Sequence, residues 1–353
     1  MASRHAPHHA DRAPSRIVVR LPNWLGDVLM ARPLLHGVRA AHPNAEIRAV
    51  GTSALLTLLK SEDTFDLGVV WPARGEPAPA RRAARGPLVA TLKAWRPEVA
   101  LILPFSFSSA WFAYGLGAPM RVGYAHELRS PLLTHALKRP PRGERHLSDE
   151  YLALGGPIGV GASVVPDPLP LLAVPPDADA AASELIQRLL PGASRFAVMA
   201  PRSAYGAARE WPSARFSELA RRLVARGMAV IVCGTASECE TCRQVAEAAG
   251  DGVVSAAGQT DLPTLSGLVR RAALAVCNDS GLAHLAGAVG TKTVTLYGST
   301  SSAWTAALGP SVTVIQHPPV CSPCFRRTCR IGYPCLTGLL LDEVDGVCRE
   351  AGA

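Results

Sequence analysis

Residues 274–298 read LAVCNDSGLAHLAGAVGTKTVTLYG. An apolar run of strand length ends on Asn278-Asp279, a helix begins at Ser280-Gly281, and a second apolar run, TVTLYG, follows at 293–298. Strand, helix and strand in that order make the unit of a parallel sheet with helices packed on its faces. The same alternation extends towards the N-terminus. FAVMAP (196–201) is a strand, PSARFSELARRLVARG a helix with apolar residues at helical spacing, and MAVIVCG (228–234) a strand. SECETCRQVAEAAG is a helix, GVVSAAG a strand and LPTLSGLVRRA a helix.

A second series of the same kind begins at Arg16. IVVRL is a strand, VLMARPLLHGVRAAHP a helix and EIRAVG (46–51) a strand; SALLTLLKS is a helix and LGVVWP (67–72) a strand. The Pro/Ala/Arg-rich stretch 73–87 reads as a mobile loop. LVATLKAW, VALILP (99–104), WFAYGLGA and RVGY (121–124) continue as helix, strand, helix and strand. Residues 157–178, rich in Pro, Val and Asp, read as a linker. The fold class is therefore α/β, with two doubly wound halves facing a cleft: a disordered tail over 1–15, a first domain over 16–170 and a second over 171–353. In such sheets ligands bind beyond the carboxyl ends of the strands, a rule that fits many enzymes and selects none.

Composition narrows the field. Residues 1–150 hold 20 Lys and Arg against 12 Asp and Glu, and 151–353 hold 16 of each, so the whole net charge of +8 falls in the first half. A basic half suits an anionic partner, or is a solvated basic surface. Nucleic acid is disfavoured, because no stacking platform or known binding motif accompanies the charge. Residues 1–15 lack the apolar core of a secretory leader. Residues 99–120 carry no charge, but Pro104 and the serines at 106, 108 and 109 divide them into a strand and a helix rather than a membrane span. Nine cysteines, an odd number, read as reduced thiols in the cytoplasm.

Four stretches carry chemistry. In 274–290, Asp279 or Ser280 caps the helix, and the amides of Ser280, Gly281 and Leu282 face the cleft as a diphosphate site; His284 lies one turn on. The competing reading is an ordinary capped turn with a packed histidine. In RLPNWLGDVLMARP (20–33), Asp27 is either a general base or an N-cap, and Asn23 and Trp24 line a sugar pocket or pack. In APRSAYGAAREWPSARF (200–216), Arg202 and Arg209 suit a diphosphate. In CSPCFRRTCRIGYPC, Cys321, Cys324, Cys329 and Cys335 are either zinc ligands or reduced thiols in a packed loop; the gaps are shorter than in common zinc ribbons.

Taken together, these motifs resemble glycosyltransferase family nine, the lipopolysaccharide heptosyltransferases, over roughly residues 16–340. The likeness is carried by PNWLGDVLMARPLL, LPFSFSSA (103–110), RVGYAHELRSPLLTHAL (121–137), HLSDEYLAL (146–154) and GTASECE (234–240). GQTDL (258–262), NDSGLAHLAGAVGTKTVTLYGST (278–300) and CSPCFRRTC (321–329) complete it. The resemblance implies a GT-B fold, two Rossmann-like domains with the acceptor on the first and the nucleotide sugar on the second. It implies inverting transfer of heptose from an ADP-heptose donor to a phosphorylated Kdo–lipid A inner core, without a metal ion. The enzyme would be cytoplasmic, in peripheral contact with the inner membrane.

By position, Asp27 then matches the catalytic base. Arg202, Tyr205, Arg209, Glu240, Asn278, Asp279, Ser280, Gly281 and His284 fall to the donor, with Glu240 on the ribose hydroxyls. Asn23, Trp24, Ser106, Ser108, Arg121 and Arg129 fall to the acceptor. The loop PRSAYGAAREWP departs from the family pattern, with Arg209 where a lysine is usual and Arg202 where glycine is usual. A different nucleotide sugar or acceptor, or a degenerate binding or scaffold protein, are the alternatives.

Overall fold

Residues 13–72 and 77–352 are described by a computed structural model in which all strand pairings are parallel. The first sheet contains β1 (Arg16–Arg20), β2 (Glu46–Gly51), β3 (Leu67–Val70), β4 (Val99–Ile102), β5 (Met120–Ala125) and β6 (His135–Lys138). The second contains β7 (Phe196–Ala200), β8 (Ala229–Val232), β9 (Val253–Ser255), β10 (Leu274–Asn278), β11 (Thr293–Tyr297) and β12 (Val312–Gln316). Strand order is β3-β2-β1-β4-β5-β6 in one and β12-β11-β10-β7-β8-β9 in the other. Numbered from its own first strand, each sheet is 3-2-1-4-5-6, the Rossmann order.

The central strands follow from their composition. β4, β7 and β10 are buried at every position and β1 at all but its first, because helices cover both faces of a parallel sheet. In each sheet the strand order reverses at the centre, between β1 and β4 and between β7 and β10. At those points successive connections leave to opposite sides and open a crevice beyond the strand ends. The two crevices face each other. One apolar core joins the halves, containing Val28 and Leu29 from the first and Leu282 and Leu285 from the second.

The helices Leu25–Met30 and Gly281–Ala288 abut at glycines. A Cβ on Gly26 would lie 2.7 Å from Cδ2 of His284, and one on Gly281 would lie 3.1 Å from Cβ of Leu25. These are places where only a bare backbone lets the two halves approach so closely.

Several expectations are corrected. The stretch 73–87 is not a loop where it is described: Ala78–Ala94 is one helix with Pro87 inside it. Alanine and arginine are strong helix formers, and on this largely exposed helix the lost proline hydrogen bond is tolerated. Residues 73–76 and most of the expected tail, 1–12, lie outside the described residues. Ser15, at the tail's end, is fixed through its amide and hydroxyl to Glu98. The linker region contains short 3-10 turns, and its end starts the helix Pro176–Leu189. The uncharged stretch 99–120 is a strand and the helix Phe107–Leu116, and no helix among the described residues is long and apolar enough to cross a membrane.

Arg32 ties the first half to the chain leading into the second. Its guanidinium holds the buried carboxylate of Glu62, and its Nη2 donates to the Pro170 carbonyl at 2.6 Å. Burial pushes the Glu62 carboxyl up, but the close approach of His36 and the hydrogen bonds and charge of Arg32 outweigh it, leaving it below the usual range. Removing one partner of such a pair strands a buried charge. Arg32→Ala is expected to lower the unfolding free energy by roughly 3 kcal/mol at pH 7 in urea titrations. The apolar pair Arg32→Met/Glu62→Leu should recover most of that loss; equal losses in both variants would refute the buried-pair account.

Candidate active site

The carboxyl ends of both sheets enclose a cavity of about 620 Å³. Its lining comes from the turn after β1 (Trp24–Asp27), the loops after β7 and β8, and the segment Asp279–His284 after β10. A volume of this size suits a nucleotide sugar or similar small ligand.

The anchor on the second half is Asp279. Its side chain is almost wholly buried, accepts a hydrogen bond from Thr300 Oγ1, and pairs with Nη1 of Arg209 at 3.1 Å. Burial raises its pKa, while Arg209, Thr300 and Tyr297 oppose the shift. The carboxylate is thus turned away from the helix it precedes. Ser280 occupies the N-cap position without a side-chain cap bond, and its Oγ is buried without a partner. The expected capping by Asp279 or Ser280 is therefore absent, and the first amides of Gly281–Ala288 keep their donors for whatever enters the cavity. Arg209 lies over the Tyr205 ring, 3.9 Å from its centroid, so its charge is held by an aromatic face as well as by Asp279.

His284 is buried, and burial first, then the charges of His146 and Arg209, lower its pKa to about 3. The imidazole is therefore neutral at pH 7, and its Nδ1 is buried without a partner.

Asp27 projects from the first half. Trp24, not Asp27, is the N-cap of Leu25–Met30, so Asp27 sits in the first turn with its carboxylate free for the cavity. Burial raises its pKa to about 6; Arg209 and Arg139 pull it down and Asp279 pushes it up. A carboxylate that exchanges protons near neutrality is suited to general-base work. Together the cavity offers a carboxylate with a near-neutral pKa on one wall, and amides and a held arginine on the other.

A family model for Glycosyltransferase family 9 (heptosyltransferase) matches residues 85–333. The chain belongs to that family. Lipopolysaccharide heptosyltransferase 2 of Escherichia coli K12 is 28% identical over 309 residues, covering 85% of this chain and 88% of the relative. Lipooligosaccharide heptosyltransferase 2 of Haemophilus influenzae is 27% identical over 308 residues, with the same coverage. The solved structure of E. coli ADP-heptose LPS heptosyltransferase II superimposes with a TM-score of 0.81 at 25% identity, covering 95% of this chain and 98% of that one. The two parallel sheets and their facing crevices are the GT-B arrangement of two Rossmann-like domains.

In this family-9 glycosyltransferase the other expected site residues divide sharply. Arg202, Tyr205, Ser280 and Gly281 line the main cavity, with Arg202 paired to Glu210 at 2.6 Å. Asn278 does not line it. Its buried amide accepts from the Trp211 amide at 2.9 Å and donates to the Pro201 carbonyl at 2.7 Å, tying β10 to the loop that carries Arg209. Glu240 also lies off the cavity, exposed and bonded to Arg243 and Gln244. Glu238, two residues earlier, lines it and closes a capping box with Thr235.

Asn23, Ser106 and Ser108 line a second, adjoining cavity, and Trp24 lines both. Arg121 and Arg129 line neither. Arg121 donates to the carbonyls of Leu132 and Ala118, and the fully buried Arg129 holds the carbonyls of Tyr124, Pro104 and Ser106. Both charges are spent on backbone carbonyls, those of Pro104 and Ser106 in the loop after β4 in the case of Arg129.

Sequence reasoning missed a seam across the cleft mouth. Arg139 lies over Phe105 and pairs with buried Glu150, which also accepts from the Trp304 indole of the other half. Arg142 lies over Trp304 and Phe325. The only signal in the sequence was the basic balance of the first half.

All four clustered cysteines are free, and no group of three or more His, Cys, Asp or Glu side chains among the described residues is arranged to hold a metal. Hydrogen bonds from the amides of Ile331 and Tyr333 lower the Cys329 thiol pKa. The segment braces the loop after β7. Tyr205 Oη donates to the Phe325 carbonyl and the Ala208 amide to the Arg327 carbonyl, while a Cβ on Gly206 would strike that same carbonyl oxygen at 2.6 Å.

Gly26→Ala tests the contact between the halves. The added methyl must displace His284, so transferase activity should fall at least about tenfold, or ~1.4 kcal/mol in the barrier, with circular dichroism unchanged. Full activity would show that the His284 position is not needed.

Proposed function

We propose that this chain transfers heptose from ADP-heptose to the inner core of lipopolysaccharide, inverting the anomeric centre without a metal ion. The observation that carries the reading is Asp27, a carboxylate with a near-neutral pKa, facing a helix N-terminus and Arg209 across one cavity. Family membership and the heptosyltransferase 2 relatives supply the sugar and the acceptor class.

The residues have separable tasks. Asp27 takes the proton from the acceptor hydroxyl as its oxygen forms the bond to the anomeric carbon. The bond from that carbon to the β-phosphate oxygen breaks, and ADP leaves with the electron pair. Amides of Ser280 and Gly281, with Arg209, receive the growing charge on the diphosphate. Neutral His284 offers a ring nitrogen to a sugar hydroxyl or phosphate. Glu238, not Glu240, is the acid placed to meet the ribose hydroxyls. The chain works at the cytoplasmic face of the inner membrane, in peripheral contact with it. Its acceptor is a phosphorylated glycolipid held by the first half, where the excess positive charge falls.

The proton step sets the pH dependence. A base with a pKa of about 6 is charged above that value and lost below it, so kcat/KM should fall as pH drops through 6, with unit slope. Asp27→Asn should abolish ADP release from ADP-heptose in the presence of lipopolysaccharide acceptor while leaving ADP binding intact. Retained turnover would remove Asp27 from the chemistry. A donor panel with UDP and GDP sugars distinguishes ADP-heptose from another nucleotide sugar, which the substitution of Arg209 for the usual lysine makes the natural competitor.

A further inference from the structure

The second cavity, of about 640 Å³, lies beyond the ends of β1 to β4 and meets the first at Trp24. Its wall is built around Trp71, just after β3. The guanidinium of Arg20 lies 5.2 Å from the Trp71 ring centroid and that of Arg85 lies 4.9 Å from it. Arg20 is buried; its Nη1 donates to the carbonyls of Leu21 and Val50 and its Nη2 to Oδ1 of Asn23, which leaves Nε and one Nη2 hydrogen uncommitted among the described residues. Arg85 makes no hydrogen bond or ion pair among the described residues, and its Nε is buried without a partner. Two cations thus converge on one indole, and among the described residues no carboxylate pairs with either.

That arrangement of like charges is unfavourable by itself. Burial first, and then the Arg85 charge, pull the Arg20 pKa down to about 10. Like charges brought together in a partly desolvated cavity are stabilised by a counter-charge of matching size. A phosphate monoester carries about −1.5 to −2 at pH 7 and accepts the forked hydrogen bonds of guanidinium groups. The rest of the cavity suits the group such an ester would sit on. Ser106 and Ser108 present hydroxyls 3.1 Å apart, and Trp24 and Trp111 present exposed aromatic surface.

We propose that Arg20 and Arg85, clasping Trp71, form a phosphate-monoester subsite of the first half that takes a phosphate on the acceptor saccharide. Only the identity of the ligand as acceptor rests on the transferase reading; the anion site does not. Arg85 is a binding residue remote from the reacting atoms, and Arg20 is the fixed half of the clasp.

The test uses the full chain with ADP added to saturation, so that the donor site is filled. Inorganic phosphate and mannose 6-phosphate are titrated against wild type, Arg85→Gln and Arg82→Gln, the last an exposed neighbour on the same helix. Wild type and Arg82→Gln should bind both ligands alike, with mannose 6-phosphate the tighter, and Arg85→Gln should weaken both at least about tenfold. Equal binding by wild type and Arg85→Gln, or none by wild type, overturns the subsite. Sedimentation with phosphatidylglycerol vesicles distinguishes the other phosphate source: loss of vesicle binding in Arg85→Gln with mannose 6-phosphate binding unchanged would overturn the assignment to a saccharide. A failure of ADP to bind would count against the transferase reading, while the contrast between Arg85→Gln and Arg82→Gln would still report on the anion site.

Discussion

The buried carboxylate of Asp279 is the constraint around which the second half's wall of the cavity is organised. Placed at the head of β10 and almost sealed from water, it needs hydrogen bonds and a cation. Thr300 and Arg209 supply them, and that demand draws the loop after β7 over the strand ends. The loop is then fixed at its two ends by Asn278, and Tyr205 and Ala208 within it are tied to the cysteine-bearing segment 321–335. A single desolvated acid thereby fixes an arginine beside a helix N-terminus whose amides have no partner of their own within the helix.

The first half meets this arrangement through two small residues. Gly26 and Gly281 allow the helices Leu25–Met30 and Gly281–Ala288 to touch, which brings Asp27 into the field of Arg209 and Asp279. The elevated pKa of Asp27 follows from that position. It is half enclosed by the opposing half, and its desolvation exceeds the help it receives from Arg209 and Arg139. Fold and electrostatics are linked here, because the meeting of the two crevices raises the Asp27 pKa as well as forming the cavity.

Much of the architecture was legible in the residues. The buried central strands are apolar at nearly every position, and each is followed by a helix with apolar residues at helical spacing, so their order follows directly. The edge strands β6 and β12 were not legible: they are short and largely exposed, and only pairing with β5 and β11 makes them strands. The helix Ala78–Ala94 was hidden by its prolines, which punctuate a sequence more strongly than they disrupt an exposed helix.

Within the site, Asp27, Arg209, Asp279 and His284 were legible because they flank strand ends. Glu240 lies off the cavity and Glu238 lines it, a difference of two residues that the 3-10 turn before the helix creates and spacing alone does not show. Arg121 and Arg129 show the limit of reading charge as function: both are consumed by backbone carbonyls, a use that spacing cannot reveal. Arg20 and Arg85 lie 65 residues apart in the chain and meet only through Trp71.

The claim that the second half holds a nucleotide diphosphate through Arg209 and the helix N-terminus is tested most directly by calorimetric titration of ADP into wild type and Arg209→Gln. The account predicts one ADP per chain in wild type and at least about tenfold weaker binding in the variant, or ~1.4 kcal/mol. Equal affinity in the two proteins, or no ADP binding by wild type, would contradict it.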